Sequence, residues 1–335
     1  MLSRRTRFHL LLAALVVALH LAFIQAPGPV LALADARPLP LPAGLDLLDL
    51  RPLADGRHAL ARVRLAGADA LWLVEWARVD ELLAGRAALP DLRLAEAPGT
   101  WSLGHVRAST GAFTWIEERP AQGGRVAVRW APPEPPQTRP LPADALWLRD
   151  DGDPVRAADL DAQLVAAGTP HLRVDPRPAA LAGDLAFVRL DRPDDLLVVD
   201  RERGTILRAV DTFDLGLAWV APRGGRLHFT HGTHTRLDRL ECEGTTCEEH
   251  RGPEASTRGP AITAIDERPD PARLAACTAQ GDLLLFALGP ADRFLAAAPL
   301  PGCRGPLLVD PTTVLAASDA GWQVLRFTPR GGYLR

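Results

Sequence analysis

The fold is decided by residues 186–200, which read Ala186-Phe187-Val188-Arg189-Leu190, then the polar stretch Asp191–Asp195, then Leu196-Leu197-Val198-Val199-Asp200. Two short apolar runs on either side of an Asp/Pro-rich turn predict two antiparallel strands. The same unit recurs three times toward the C-terminus, at Arg226–Leu240, Leu274–Phe286 and Thr313–Phe327. The chain therefore contains a repeat of paired strands.

This repeat has a nearly constant period. Asp195, Arg236, Gly281 and Gly321 occupy equivalent positions, at intervals of 41, 45 and 40 residues. A period of 40–45 residues with paired strands is typical of four-stranded propeller blades. Weaker copies begin near Asp69, Gly124 and Asp153. The sequence predicts an all-β propeller of six or seven four-stranded blades over residues 55–335. Paired β-sandwiches are the alternative, because they give a similar strand density without a fixed period.

One copy resembles a known repeat. Leu197–Leu207 is similar to the strand–Asp-x-x-x-Gly–strand turn of quinoprotein-like propellers, with Asp200 and Gly204 at the two ends of the turn. The Asp200 carboxylate can accept backbone N–H groups across the turn, and Gly204 can adopt a positive φ. The resemblance implies the propeller fold. It implies no quinone cofactor, because the tryptophans and cation ligands of those enzymes have no matching residues here. Val79–Ala88 and Ala157–Ala167 are predicted as short helices.

Residues 1–34 have the pattern of a targeting segment. Arg4, Arg5 and Arg7 precede the apolar run Leu10–Ile24, which is followed by a Pro/Gly/Ala stretch. Fifteen helical residues span about 22 Å, less than a hydrocarbon core of about 30 Å. The segment is predicted to be a signal peptide, with small residues suited to cleavage after Ala34 or Ala36, or an N-terminal membrane anchor. A buried helix of a soluble protein is the third option.

The targeting segment sets the expected location and domain plan. Both leading options place the body outside the cytoplasm, periplasmic or extracellular, with residues 10–34 as a possible tether to the cytoplasmic membrane. Residues 35–54, rich in Pro and Leu, are predicted to be an extended linker. Cys242, Cys247, Cys277 and Cys303 fit an oxidising compartment and are the disulfide candidates. Cys242 and Cys247 bracket a turn-like tetrapeptide, but four cysteines allow three connectivities.

Composition excludes several functions. All 38 basic residues are arginine, so Schiff-base and phosphate-loop lysine chemistry is excluded. Asparagine is also absent, which excludes N-glycosylation and a Cys-His-Asn triad. The formal charge is −3 and the arginines are dispersed, which argues against nucleic acid as a partner. A GC-biased codon usage accounts for these gaps.

The densest group of ligand-type residues lies between residues 228 and 250. His228, His231, His234 and His250 are the metal-ligand candidates, and imidazole suits zinc or copper. The simpler interpretation is a disulfide-bonded blade with surface histidines, so no cofactor is expected. Asp150-Asp151-Gly152-Asp153 lacks the spaced ligands of a calcium loop and is predicted to be a turn. Ser102 and His105 lack the elbow of a hydrolase nucleophile.

The sequence predicts an exported, non-enzymatic binding or scaffolding propeller that contacts a protein or glycan through its blade loops. Its contact with membrane would be limited to the N-terminal segment. The alternative is an extracytoplasmic hydrolase or lyase, with metal assistance as an option, whose site lies at the mouth of the central channel. An enzyme should bring carboxylates or histidines from different blades within about 4–6 Å of one another.

Overall fold

The computed structural model describes residues 30–53, 55–103, 106–109, 111–119, 124–191, 195–211, 215–220, 226–231, 237–243, 246–250, 262–289 and 292–329. Within these ranges the chain forms six antiparallel four-stranded sheets and one two-stranded sheet. The strands are β1 (Leu31–Pro38), β2 (Leu45–Pro52), β3 (His58–Leu65), β4 (Ala68–Glu75), β5 (Arg93–Pro98), β6 (Arg107–Ser109), β7 (Ala112–Arg119), β8 (Gly124–Trp130), β9 (Gln137–Leu141), β10 (Ala145–Leu148), β11 (Pro154–Arg156), β12 (Ala180–Ala182), β13 (Leu185–Arg189), β14 (Asp195–Asp200), β15 (Thr205–Asp211), β16 (Leu215–Val220), β17 (Leu227–His231), β18 (Leu237–Glu243), β19 (Thr246–His250), β20 (Ile262–Pro269), β21 (Ala272–Thr278), β22 (Asp282–Ala287), β23 (Arg293–Pro299), β24 (Arg304–Asp310), β25 (Thr313–Ser318) and β26 (Gly321–Pro329). The helices are α1 (Val79–Leu83) and α2 (Ala157–Ala166), with 3-10 turns at Trp76–Arg78 and Leu89–Leu92.

Each four-stranded sheet is one blade of a propeller. Blades 1 to 5 are β2–β5, β6–β9, β12–β15, β16–β19 and β20–β23, each in sequential order. The first strands of successive blades contact one another, β12 with β16, β16 with β20 and β20 with β24, so the first strand is the innermost. The prediction of an all-β propeller is confirmed, with six four-stranded blades, and the sandwich alternative is wrong.

Blade 6 is completed by the start of the described chain. It contains β24, β25 and β26, and β1 pairs antiparallel with β26 as its fourth strand. The pairing runs from Leu31 opposite Pro329 to Pro38 opposite Gln323. Because β1 leads directly into blade 1, this one strand ties the first blade to the last.

The continuous apolar runs form strands that are buried on both faces. In β14, Leu196 and Val198 pack toward blade 4, while Leu197 and Val199 pack on the opposite face. Successive side chains of a strand point to opposite faces, so a blade held between two neighbours needs apolar residues at every position. This explains why the run at 196–199 shows no alternation.

The predicted period corresponds to the third strand of each blade. Asp69, Gly124, Asp195, Arg236, Gly281 and Gly321 all lie at or beside the start of a third strand. The seventh copy, near Asp153, is different. It forms the two-stranded hairpin of β10 and β11, so the structure has six four-stranded blades and this hairpin in place of a seventh.

The predicted linker is not a linker in the structure. Residues 35–54 hold the end of β1 and all of β2, the innermost strand of blade 1. Leu45, Leu47 and Leu50 are buried there, which makes this segment part of the core. Prolines disfavoured a strand prediction, yet Pro40 and Pro42 lie in the connection between the two strands.

Two local predictions agree with the structure. The helices predicted at residues 79–88 and 157–167 are present as α1 and α2, the first of them shorter. At the Asp-x-x-x-Gly turn, the Asp200 carboxylate accepts the N–H groups of Glu202 and Arg203 at 3.0 and 2.8 Å, and Gly204 has φ +65°.

The apolar run Leu10–Ile24, predicted to be a targeting helix, lies outside the described residues. Among those that the structure describes, no helix is long and apolar enough to cross a membrane.

Candidate functional site

The hairpin of β10 and β11 is wedged between blades 2 and 3. On one side β10 contacts β7 of blade 2. On the other side Leu146 and Val155 join a buried cluster with Val188 and Leu197 of blade 3. A two-stranded sheet occupies less space than a blade, so this junction is where an opening between blades is expected.

Arg125 on blade 2 fixes the position of the hairpin segment. Its Nη1 atom donates to the carbonyl oxygens of Ala145 and Pro176 at 2.8 and 2.6 Å. Its Nη2 atom pairs with a carboxylate oxygen of Glu118 at 2.9 Å. One guanidinium thus connects blade 2 to both ends of the inserted segment, using the fixed fork of donors that only arginine provides.

A cavity of about 230 Å³ lies at this junction. Its lining combines aromatic and aliphatic side chains with a few polar ones at the rim. The lining residues are Ser102, Arg107, Thr114, Trp115, Ile116, Glu118, Leu146, Trp147, Leu148, Pro178, Ala179 and Leu181. Trp115 and Trp147 are almost fully buried, so they form rigid walls.

Charged groups surround one side of the cavity. Arg107 pairs with Asp150 and, at 3.5 Å, with Glu202. Burial lowers the pKa of the Arg107 guanidinium, and the positive charge of Arg201 acts in the same direction. An arginine nevertheless stays charged at physiological pH. The Trp147 indole donates to the Arg201 carbonyl oxygen at 2.8 Å, which anchors the wall beside these charges.

The cavity is suited to binding an apolar group. Sites for cofactors and drug-sized ligands usually measure about 300–1,000 Å³, so about 230 Å³ fits a single side chain better than a large cofactor. Both charged side chains in its lining are held in ion pairs. Glu118 pairs with Arg125, and Arg107 pairs with Asp150. These charged groups form a polar rim that can orient a bound group, and such a rim is typical of recognition pockets.

Of the metal-ligand candidates, His228 is a structural group between blades. Its side chain is 1% exposed and its Nε2 atom lies 2.7 Å from a carboxylate oxygen of Glu267 on blade 5, which is 0% exposed. The other Glu267 oxygen accepts Arg226 Nη1 at 2.5 Å. These side chains form a polar contact between blades 4 and 5, in which His228 and Glu267 are buried and Arg226 is 30% exposed.

Among the other candidates, His250 has a described side chain, and it does not join His228. His250 lies in the same cross-strand row, but Arg239 on β18 stands between them. The two imidazoles face different carboxylates, since His228 Nε2 lies 2.7 Å from Glu267 and His250 Nε2 lies 3.6 Å from Glu241. The side chain of His231 and all of His234 lie outside the described residues. No group of three His, Cys, Asp or Glu side chains in the described part of the chain is arranged to hold a metal. A zinc or copper site involving His231 and His234 stays a prediction.

The four cysteines form two disulfides. Cys242 bonds to Cys247 across the β18–β19 hairpin, and Cys277 of blade 5 bonds to Cys303, just before blade 6. The predicted presence of disulfides is confirmed, and the structure selects one of the three connectivities. Cys242 faces blade 3 whereas His228 faces blade 5. These two members of the ligand-type group at residues 228–250 therefore lie on opposite faces of one sheet.

The acidic turn and the serine singled out in the sequence lie at or near the cavity. Residues 150–153 form the hairpin turn, in which Asp151 accepts the Asp153 N–H at 2.8 Å and Gly152 has φ +88°. Asp150 forms the ion pair with Arg107 at the cavity. Ser102 lies at the cavity rim, and His105 is outside the described residues.

One of three comparisons with solved structures supports the fold, the one with a TM-score above 0.5. The chain is similar in structure to YCF48 from Cyanidioschyzon merolae, with a TM-score of 0.51 and 10% identity over 88% of this chain and 98% of that one. The WD40 domain of Toxoplasma gondii coronin gives 0.49, with 13% identity over 92% and 89%. The Myceliophteria thermophila Cps50 (Swd1) propeller domain gives 0.44, with 12% identity over 85% and 84%. No family model and no curated protein matches the sequence. The chain is a β-propeller protein, and the quinoprotein-like type is not confirmed.

Sequence reasoning missed the cavity because its walls come from three separate segments. Trp115 belongs to β7, Trp147 to β10, and Leu181 to β12. One feature of the sequence could have indicated an insertion here: the short apolar run at 145–148, directly before the acidic turn, lies outside the main period. Its contact with blade 2 could not be inferred without the fold.

Proposed function

We propose that this protein is an exported, non-enzymatic binding propeller whose binding site is the cavity between blade 2 and the β10–β11 hairpin. The observation that carries the proposal is this opening of about 230 Å³, with rigid Trp115 and Trp147 walls and a charged rim. Apolar pockets with a few polar groups at the edge are the usual form of recognition sites.

The partner is a protein that inserts one apolar side chain into the cavity. The volume is below the range typical of cofactors and matches a single large side chain. Anchors of this kind, seated in a desolvated pocket and surrounded by a polar rim, supply most of the binding energy of protein interfaces. Arg107 and Glu118 at the rim can pair with polar groups flanking the anchor. A glycan partner stays a prediction from the sequence.

Two features support export. The basic and apolar pattern of residues 1–24 is typical of a secretory leader. All four cysteines are paired in disulfides, which form and persist in oxidising compartments.

The test of the binding site uses site-specific photocrosslinking. A photoreactive amino acid at Ser102, on the exposed rim, should give a discrete crosslinked protein in the source organism, which is then identified and purified. Ile116→Trp should fill the cavity and weaken the measured affinity for that protein by more than about 10-fold, a loss of about 1.4 kcal/mol.

The matched control places the same residues at Leu94, an exposed apolar position on blade 1. The photoreactive group at Leu94 should not yield the partner, and Leu94→Trp should leave the affinity unchanged. Unchanged affinity of Ile116→Trp, in a protein with wild-type thermal stability, would refute the cavity as the site.

A further inference from the structure

The closing strand β1 is an integral part of the propeller. Val30 and Leu31 pack against the buried cluster shared by blades 5 and 6. At the other end of the strand, the Leu39 N–H donates to the Trp322 carbonyl oxygen at 2.8 Å, and the Leu39 side chain is buried. The Arg37 guanidinium donates to the Leu83 carbonyl oxygen of α1 in blade 1. The strand therefore contacts blades 1, 5 and 6.

Both predicted leader cleavage positions lie inside this strand. The small-residue patterns Ala32-Leu33-Ala34 and Ala34-Asp35-Ala36 belong to β1, where they pair with residues 325–328 of β26. Cleavage after Ala34 would detach half of the strand. Cleavage after Ala36 would leave only Arg37 and Pro38 paired.

Loss of the strand would weaken the closure of the ring. Residues removed with the leader do not remain on the mature chain, so they are not available to pair. β26 would then become the edge of a three-stranded blade, with a row of unpaired N–H and C=O groups that invite aggregation or strand exchange. Blade 1 would also lose its strand-paired link to blade 6 and would keep only side-chain contacts, such as the packing of Leu315 and Val324 and the hydrogen bond from the Trp322 indole to the Leu47 carbonyl oxygen at 2.8 Å.

We propose that residues Leu31–Pro38 remain on the mature chain, so that any leader cleavage occurs before Leu31. The small residues at 32, 34 and 36 are then strand residues rather than peptidase recognition residues. This inference rests on the proposed export of the protein, because only an exported chain meets the leader peptidase. It moves the processing site upstream of the positions that the sequence pattern favours.

The first test is the N-terminus of the exported protein. The full-length chain is produced in a secreting bacterium with its own leader, the compartments are separated, and intact mass and N-terminal sequencing are applied to the extracytoplasmic fraction. An N-terminus at or before Leu31, including an uncut chain, is the expected result. An N-terminus at Asp35 or Arg37 would overturn the inference.

A second measurement is independent of export. In the purified full-length chain, Ala32→Pro with Ala36→Pro is compared with Gln25→Pro with Gly28→Pro, two positions upstream of the strand. Proline removes donors from a strand ladder, so the strand variant should lower the thermal midpoint by about 5 °C or fail to fold, while the upstream variant stays within about 1 °C of wild type. Equal midpoints would refute the role of β1.

The two measurements separate the possible failures. If the chain is found uncut and only in the cytoplasm, the proposed export fails, and the proline comparison alone decides whether the strand is required. If the chain is exported with its N-terminus inside β1, export stands and the retention of the strand fails.

Discussion

Blade 5 contacts its two neighbours through different chemistry. Toward blade 4 it presents Glu267, which is buried and binds Arg226 and His228. Toward blade 6 it presents the apolar residues Ala275 and Leu285, beside the disulfide that starts at Cys277. Both faces also make apolar contacts, so the difference lies in what is added to them: an ion-paired carboxylate toward blade 4 and a covalent bond toward blade 6.

The difference begins with two adjacent residues of β20. Asp266 and Glu267 are 1% and 0% exposed, and neighbouring side chains of a strand point to opposite faces. Asp266 accepts the backbone N–H of Leu308 in blade 6 at 2.7 Å, whereas Glu267 accepts side-chain donors from blade 4. Each acid thus binds one neighbouring blade.

The two faces should respond differently to substitution. A buried charge pair contributes little net stability, but removing one partner leaves the other uncompensated. An apolar face loses stability in proportion to the area or the cross-link removed. Substitutions on each face test this contrast.

Glu267→Ala should cause the greatest loss. The buried His228 imidazole would lose its hydrogen-bond partner and Arg226 its buried counter-charge, and breaking a buried ion pair costs about 3–5 kcal/mol. We expect the free energy of unfolding in urea to fall by about 4 kcal/mol. Glu248→Ala, at a side chain that is 76% exposed near His250, is the control and should change it by less than about 0.5 kcal/mol. Similar losses for the two variants would show that the blade 4–5 contact is not held by this ion pair.

On the opposite face, Cys277→Ala with Cys303→Ala should lower the free energy of unfolding by about 3.5 kcal/mol. The disulfide joins residues 26 apart, and the chain-entropy model gives this magnitude for a loop of that length. Denaturation under oxidising conditions provides the measurement. Adding a reductant should abolish the difference between the variant and the wild type. A variant as stable as oxidised wild type would mean that apolar packing alone holds this face.

The second disulfide sharpens the role of loop length. Cys242 and Cys247 are only 5 residues apart and face each other across one hairpin, so Cys242→Ala with Cys247→Ala should cost about 2 kcal/mol. The same denaturation assay applies, with Cys277–Cys303 intact. If removing Cys242–Cys247 lowered the free energy of unfolding more than removing Cys277–Cys303, loop closure would not explain the stabilisation by either disulfide.

The sequence predicted some of these features for physical reasons. The period was recognisable in the sequence because the blades repeat a turn before the third strand, as at Gly281 and Gly321. The closure by Leu31–Pro38 could not be inferred, because its partner strand lies about 290 residues away and its small residues also suit a peptidase. Likewise, the sequence showed that His228 lies in a strand, but not that Glu267, 39 residues later, faces it.

The smallest effect concerns pH, through Glu241 on the polar side of blade 4. Its carboxylate accepts Arg239 Nε at 2.8 Å and pairs with Arg226 Nε at 2.8 Å. Burial acts to raise the pKa of Glu241, but the hydrogen bond from Arg239 and the charges of Arg226, Arg239 and His250 hold it below the ordinary value. Because the folded pKa is the lower one, its stabilisation is present above about pH 4.3, the pKa of an unfolded glutamate, and is lost as the pH falls through the folded pKa.

Glu241→Gln should therefore flatten the acid limb of the stability profile. The side chain is about one-third exposed, so solvent screening limits the expected difference to about 0.5 kcal/mol between pH 6 and pH 3.5. Thermal midpoints across this range provide the measurement, with Glu248→Gln as the control that should keep the wild-type slope. The Cys277–Cys303 variant should also keep that slope, because a disulfide does not titrate. A slope that is flattened to the same extent in the disulfide variant would contradict the assignment of this acid sensitivity to Glu241 on the ion-paired face of blade 4.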